Sequence, residues 1–417
     1  MSKWFTLKDG REIHFNTSTH RYWPPDILQS EPIRLSRSPD GHWTITGKGA
    51  MWMYAHAAAM VAAAGCQPHV RLAGPPGTSH DLTTSTCKLH RIPESNCAVF
   101  EIQFRVGTQL ADDAIDQLMR SELTTLEGSG IAELCITGRG NARAYASAAA
   151  RGVESHVGRI MCWTPADGLV VVYDQQQVGL GTQLQPPPWL QSYIQPPENP
   201  VVVGIIGDPN CGKSVFSLVL NHYCGMNNCR GWRLDCDGAS PTPDWYLSLK
   251  AQAAEEAEKA RQKLAWTPDM ENRIAEKIRR LREFFDVAIA DLPGGDHKKA
   301  PPERVPVHRD VMMREVDVFV LIERDEQPSE AAWRAALHQY GLDDRIAVVL
   351  RSQHPSGTAG LDASPDPHGT WRGIVRGLDR GKMPDELLGG LQSGLRRLWP
   401  VLLQHGRRAQ SDSGGTR

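Results

Sequence analysis

Residues 201–220 read VVVGIIGDPNCGKSVFSLVL, and this stretch decides the fold of the chain's second half. Val201 to Ile206 is an uninterrupted apolar run, the pattern of a buried strand. Gly207, Asp208, Pro209, Asn210, Cys211, Gly212, Lys213 and Ser214 then fit the phosphate-loop pattern G-x-x-x-x-G-K-[ST]. Val215 to Leu220 follows as an apolar helix, so the motif stands in its required setting between strand and helix. The loop's N–H groups are expected to surround nucleotide phosphates, with Lys213 bridging the β and γ oxygens and Ser214 holding Mg²⁺. Cys211 occupies a free position of the pattern and reads as filler.

The remaining parts of such a site are sought downstream. Asp286 to Asp291 (DVAIAD) is a short apolar strand ending in an acid, followed by Leu292-Pro293-Gly294-Gly295. Asp291 is expected to be the second magnesium residue, and Gly294 to let backbone approach the γ-phosphate. Val316 to Ile322 and Arg345 to Leu350 supply two more apolar strands, and strands alternating with helices imply a mostly parallel, three-layer α/β sheet. Arg233 to Gly238 (RLDCDG) ends another strand, which places Asp235 and Asp237 where they would position an acceptor hydroxyl or simply cap a solvated loop. Pro243-Asp244-Trp245 follows closely, and residues 251–284 read as a charged helix or helix pair. Arg324 and Arg351 each follow an apolar strand and are candidates for charge stabilisation. The strand IAVVL leads into Arg351-Ser352-Gln353-His354 rather than the Asn-Lys-x-Asp that reads guanine, so ATP is the expected nucleotide.

The first half contains a repeat. Residues 45–57 read ITGKGAMWMYAHA and residues 136–148 read ITGRGNARAYASA. Gly47, Lys48, Gly49 and Tyr54 stand where Gly138, Arg139, Gly140 and Tyr145 stand in the second copy. An alanine-rich helix, a histidine (His69 or His156) and a proline (Pro75 or Pro165) follow each segment. Each copy therefore places a Gly-basic-Gly turn between a short strand and a helix, where free N–H groups and a partial positive charge suit an anion. Tight turns and close helix packing would use the same glycines and alanines. Duplication adds the expectation of a pseudo-twofold site matched to a ligand that repeats itself. Between the copies, Ala98 to Phe104 alternates apolar and polar residues, as a strand with one wet face does.

Length and charge bound the rest. At about 150 residues per domain, 417 residues make two or three folded units. Lys plus Arg total 46 against 48 acids, a net charge of −2, which argues against coating long nucleic acid but not against one small anion in a local pocket. No run reaches the roughly 18 apolar residues of a membrane span, and the N-terminus lacks a secretion-signal pattern. The nine cysteines show no framework spacing and read as reduced thiols, so a cytoplasmic protein is expected. The Gln- and Pro-rich residues 175–200 read as an extended linker. The expected division is 1–86 and 87–174 for the two copies, 175–200 for the linker, 201–404 for the phosphate-loop domain and 405–417 for a disordered tail. Most soluble assemblies are symmetric, so a homo-oligomer is an admissible expectation, although a pseudo-twofold front half reduces the need for one.

Residues 87–174 resemble the CRISPR-associated ring nucleases of type III systems, which bind and cut cyclic oligoadenylate. The resemblance is carried by CAVFEIQFR, CITGRG, the alanine-rich helix, His156 and GLVVVYD, and residues 31–76 resemble a more divergent copy. It implies a CRISPR-associated Rossmann-like α/β module in duplicate, with Gly47, Lys48, Gly49, Gly138, Arg139 and Gly140 holding the ring, cyclic tetra-adenylate being the expected size. It also implies metal-dependent cleavage, with Mn²⁺ a candidate ion, by a histidine matched approximately by His156 and an aspartate. At the aspartate position this chain has Thr164, and Gly74 in the first copy. Threonine cannot ionise to hold a hard cation, so weak or lost cleavage is expected, with Asp167 or Asp174 as candidate substitutes. Some members carry a C-terminal P-loop ATPase domain, which Asp237 to Trp245 and DLPGG resemble. Three readings follow: a type III accessory protein that senses the ring and hydrolyses ATP; an active ring nuclease with ATPase-assisted turnover; or a P-loop kinase that uses Asp235 or Asp237 near its acceptor.

Overall fold

The computed structural model describes residues 4–8, 11–15, 23–35, 41–47, 49–72, 80, 85–104, 110–164, 167–191, 197–227, 229–238, 265–382 and 384–413. The chain forms two compact units, Met1–Ile194 and Gln195–Arg417. Lys48, Gly74, Pro75, Pro165, Asp244, Trp245 and residues 251–264 of the expected charged helix lie outside the described residues.

The first unit repeats one topology. An antiparallel pair, β1 (Phe5–Lys8) and β2 (Glu12–Phe15), is followed by the short α1 (Ile27–Ser30) and then by β3 (His42–Gly47), parallel to β2. Helix α2 (Met51–Ala63) crosses to β4 (Gln67–Val70), parallel to β3. The second copy starts with the antiparallel β5 (Ser85–Arg91) and β6 (Cys97–Phe104) and continues through α3 (Asp112–Leu123) to β7 (Glu133–Arg139). Helix α4 (Ala142–Glu154) leads to β8 (Arg159–Thr164), with β6, β7 and β8 mutually parallel. The antiparallel β9 (Gly168–Asp174) and β10 (Gln183–Leu184) extend this sheet, and α5 (Pro188–Gln191) follows. The sheet orders are β1-β2-β3-β4 and β10-β9-β8-β7-β6-β5.

The match reaches single hydrogen bonds. Gly47 pairs in register with Phe15, and Gly138 with Ile102. Their φ values are +102° and +100°. Tyr54 donates its hydroxyl proton to the Gly47 carbonyl, and Tyr145 donates to the Gly138 carbonyl at 2.9 Å. A Cβ on Gly138 would fall 2.1 Å from the Ile102 oxygen, so no side chain fits between these strands.

Alanine-rich α2 and α4 pack on one another, small side chains allowing close approach. Arg143, in the first turn of α4, donates to the Val70 carbonyl at the end of β4 at 2.8 Å. The start of α4 thus sits at the same end as the last residues of β3 and β4. In α2, fully buried His56 has Nδ1 donating to the Val172 carbonyl at 2.7 Å, while Nε2 accepts from Ile33 N at 3.4 Å. Burial pushes the His56 imidazole down to about 4, partly opposed by the bond to Val172.

The second unit is a three-layer sheet built on β11 (Val201–Ile206), which runs into α6 (Lys213–Met226). Next come β12 (Gly231–Asp235), α7 (Pro268–Leu281), β13 (Val287–Asp291), α8 (Asp310–Arg314) and β14 (Val318–Arg324). Helix α9 (Glu330–His338), β15 (Ile346–Gln353), β16 (Gly360–Pro365), β17 (Trp371–Arg376) and α10 (Pro384–Ser413) complete it. The order is β12-β13-β11-β14-β15-β17-β16, parallel except for the edge strand β16. Val201, Val203 and Ile205 face α6 and α10, while Val202 and Ile206 face α7, α8 and α9. Buried on both faces, β11 needs its unbroken apolar run.

Several expectations need correction. Residues 175–191 are not a free linker: Gly181 donates to Val171, Val171 donates to Thr182, and Leu180 and Leu190 are buried. Two leucine anchors outweigh a Gln- and Pro-rich average. The tail from residue 405 is not disordered through 413, because α10 continues there. Gly406 lies against Val201, and Gln410 donates to Asp317 at 3.0 Å. Ala98 to Phe100 is buried throughout, since β6 lies inside its sheet; the polar alternation survives only at Glu101 and Gln103. The β16–β17 hairpin was not anticipated. No helix among the described residues is long and apolar enough to cross a membrane.

Two measurements check this packing. Gly138→Ala should destabilise the chain by roughly 3 kcal/mol in urea denaturation, through backbone strain and the clash with Ile102. His56 is neutral when folded, and its folded pKa of about 4 lies below the ordinary 6.5. Between those two values the unfolded chain takes up a proton that the folded chain refuses. Stability should therefore fall as pH falls through that window, by about 3 kcal/mol in all. A His56→Gln variant should flatten that slope.

Candidate nucleotide site and the paired turns

The loop after β11 is shaped by its glycines. Gly207 has φ +144°, and a Cβ there would meet the Ile322 oxygen of β14 at 1.9 Å. Gly212 enters α6 with φ +94°, packed on Leu378. Lys213, the first residue of α6, curls its amine back over the loop and donates to the Asp208 carbonyl at 3.0 Å. Cys211 is buried beneath the loop, where burial raises its thiol, which supports a packing role. After β13, Gly294 presses on the loop so closely that a Cβ would lie 2.9 Å from Pro209 Cδ and 3.1 Å from the Gly207 oxygen.

The Asp208 carboxylate is held to one side. Trp333 Nε1 donates to it at 2.9 Å, Arg304 at 3.1 Å, and His297 stands 3.7 Å away. Arg324 donates to the Pro209 carbonyl at 2.7 Å, so it does reach the loop. Arg351 lies beside Glu323 at 3.5 Å instead.

Asp291 ends β13, buried beneath the start of α6. Arg233 Nη2 donates to its Oδ2 at 2.6 Å, and Arg233 Nε donates to Ser217 Oγ at 2.7 Å. Asp235 is in register with Asp291. Burial pushes the Asp235 carboxyl up to about 7; Arg233 opposes the shift, and Asp291 adds to it. The Asp235 carboxylate also accepts from Asp237 N at 3.0 Å. The hydroxyl of Ser214 and the carboxylate of Asp291 are hard oxygen donors of the kind magnesium takes, so the residues fit that ion in chemistry. The structure thus gathers Gly207 to Ser214, Asp235, Asp291 and Gly294.

Sequence reading missed Arg233, His297, Arg304 and Trp333 as members of this cluster. Only Arg233 left a signal: it stands two residues before Asp235 on a strand, hence on the same face. The others come from distant segments that the sheet alone brings together.

No protein-family model matches the chain, and no curated protein does. Among solved structures it is similar to the signal recognition particle receptor FtsY from Elizabethkingia anophelis in complex with GDP, with 15% identity over 38% of this chain and a TM-score of 0.25. The chain spans 50% of that structure's length. It is similar also to LAO/AO transport system kinase, with 13% identity over 54% of this chain and 69% of that one, TM-score 0.29. A second FtsY structure from the same organism aligns at 14% identity over 58% of this chain and 72% of that one, TM-score 0.24. What decides the fold is the geometry of the loop itself, strand to glycine-closed turn to lysine-led helix. The second unit has a P-loop NTPase-like fold.

In the first unit, Gly47 ends β3 and Gly138 is the last residue but one of β7, and Gly49 and Gly140 lie against the side chains of Phe15 and Ile102. Arg139 is half-buried at the end of β7. Asn141 caps α4 by accepting from Ala144 N at 2.9 Å, while Ala50 gives α2 no side-chain cap.

The structure does not bring His156 to these turns. It follows the C-terminal end of α4 with φ +62°, whereas the Gly-Arg-Gly turn precedes the N-terminal end. Thirteen helical residues separate the two, about 20 Å at 1.5 Å per residue. The expected catalytic role of His156 is corrected accordingly; it terminates a helix. Asp174 is bound to Arg159 at 3.2 Å on the opposite sheet edge, which removes it as a substitute for the missing aspartate. Asp167 stays near the turn, accepting from Thr164 Oγ1 at 3.2 Å.

Lys213→Ala should weaken triphosphate binding at least about tenfold in a fluorescent-nucleotide titration, because the cradle loses its cation. The melting temperature should hardly move, since the amine's bond in the nucleotide-free protein is to a single loop carbonyl.

Proposed function

We propose that the second unit binds ATP and hydrolyses it slowly with magnesium, and that the first unit binds cyclic oligoadenylate, as an accessory protein of a type III CRISPR system whose ring cleavage is weak or lost. The observation that carries the reading is the paired arrangement of the first unit: two glycines at matching strand ends, with φ values of +102° and +100°, each carbonyl taken by a tyrosine hydroxyl. A self-similar anion suits such a pair, with helix N-termini and the basic residues Lys48 and Arg139 supplying the attraction.

In the P-loop unit the loop amides bind the phosphates, and Lys213 would exchange the Asp208 carbonyl for phosphate oxygens. Ser214 and Asp291 would hold magnesium, which when bound neutralises charge on the β and γ oxygens. Gly294 packs directly on the loop, where a Cβ would clash with Pro209, and its backbone N–H would approach the terminal phosphate. ATP is favoured over GTP because β15 ends in Gln353, which donates to Asp325 at 2.7 Å, and Arg351-Ser352-Gln353-His354 stand where a guanine-reading Asn-Lys-x-Asp would be.

A second reading has one specific observation behind it. Asp235 stands in register with Asp291 at the end of the neighbouring strand, and burial raises its carboxyl toward the range in which it would take a proton from an acceptor hydroxyl during phosphoryl transfer. Product analysis separates the two: inorganic phosphate in step with ADP supports hydrolysis, and a phosphorylated acceptor supports the kinase reading.

Calorimetry with cyclic tetra-adenylate tests the first unit. Binding is expected in the full chain, weakened at least about tenfold by Arg139→Ala. Adding ATP and Mg²⁺ should change ring affinity by about fivefold or more if the sites are coupled. Absence of binding at every ring size would reject the ring reading, and equal affinities would reject the coupling.

A further inference from the structure

Two successive glycines follow β13, and the contacts around them fix a backbone that has no side chains of its own there. Gly294 lies against the phosphate loop, and Gly295 turns at φ +90° with the Glu303 oxygen 2.6 Å from where a Cβ would stand. Main-chain bonds between Asp296 and Glu303 run in both directions, at 2.8 and 3.0 Å, and close the hairpin that follows. Gly294 is held by a side chain: His297 Nε2 lies 2.8 Å from its carbonyl oxygen. The tautomer follows from the neighbours. A carbonyl can only accept, and the other oxygen near Nε2 is Asp208 Oδ1 at 3.7 Å, part of a carboxylate that accepts from Trp333 and Arg304. Nε2 therefore carries the proton and donates to Gly294.

Glycine loses more backbone freedom on being ordered than any other residue. A glycine N–H that must meet a phosphate is costly to place unless its surroundings have placed it already. The imidazole does so from one side by holding the carbonyl, and Pro209 limits the other, its Cδ 2.9 Å from where a Cβ of Gly294 would lie. The His297 side chain is 30% exposed, so it does this at the lip of the loop rather than as part of the core. We propose that His297 is a positioning residue that presets the Gly294 backbone for the terminal phosphate of a bound nucleotide, so that the site tells a triphosphate from a diphosphate. The bond favours a triphosphate complex and leaves a diphosphate complex unaffected, because only the terminal phosphate would reach Gly294. This inference rests on the nucleotide reading of the loop.

The experiment titrates the full chain, with Mg²⁺ present, against a fluorescent non-hydrolysable ATP analogue and against fluorescent ADP, and records a melting curve for each variant. In His297→Ala the preference for triphosphate over diphosphate should fall about threefold or more, the loss expected for one hydrogen bond, with ADP affinity and melting temperature unchanged. His297→Gln, whose amide nitrogen can stand near the place of Nε2, should restore most of the preference. An unchanged preference in His297→Ala, an equal loss for both nucleotides, or a His297→Gln protein no better than His297→Ala overturns the proposal. Should His297→Ala melt well below the wild type, His297→Asn, whose amide falls short of that place, takes over under the same criteria. A wild-type chain that binds both nucleotides equally overturns the proposal and leaves the loop reading standing. One that binds neither removes the loop reading, and the proposal with it.

Discussion

The fold depends on backbone meeting backbone where a strand ends and a helix begins. At Gly138 the neighbouring strand's Ile102 oxygen lies where a Cβ would go, and at Gly207 the Ile322 oxygen does the same, at 2.1 Å and 1.9 Å. A side chain at either place would force adjacent parallel strands apart. With glycine, the chain turns at positive φ while the strands stay paired, and the next helix starts directly above the sheet edge. Its unpaired amides then converge on that edge, the geometry an anion needs. The two units share no topology, yet each reaches this arrangement by the same steric route.

A chain with a net charge of −2 can present such edges to polyanions only if its local acids are neutralised. Around the phosphate loop each carboxylate has a basic or N–H partner. Asp208 is held by Arg304 and Trp333, and Asp291 by Arg233. Burial raises the Asp235 carboxyl, Asp291 adding to the shift and Arg233 opposing it. The polar network is therefore quiet without ligand, and an incoming phosphate meets Lys213 and amides rather than exposed carboxylates.

What was legible in the sequence was what is local. Gly207 to Ser214 and Asp291 announce themselves because strand, loop and helix are contiguous, and the repeat was visible because Gly47 and Gly138 sit in matching short strings. Arg304, His297 and Trp333 reach Asp208 from 89 to 125 residues away in sequence (297 − 208 and 333 − 208), and nothing local marks them. His156 was misplaced for the converse reason: closeness in sequence to the Gly-Arg-Gly turn conceals a helix that carries it to the far end. Residues 175–191 and 405–413 were misread by composition, where a few well-placed contacts (Leu180, Leu190, Gly406, Gln410) decide order against a polar background.

Duplication within one chain changes what the paired turns can do. The copies are locked by reciprocal bonds: His56 of the first copy donates to the Val172 carbonyl of the second, and Arg143 of the second donates to the Val70 carbonyl of the first. Each bond runs from a helix of one copy to a strand of the other, and both polar side chains are buried. The repeat aligns His56 with Ser147 and Arg143 with Trp52, so each donor is peculiar to its own copy. The halves have diverged into complementary roles, which fixes their spacing without any association step. Were a ligand to span both turns, as proposed above, it would meet two copies already joined, and the entropy that a dimer loses on closing would have been settled during folding.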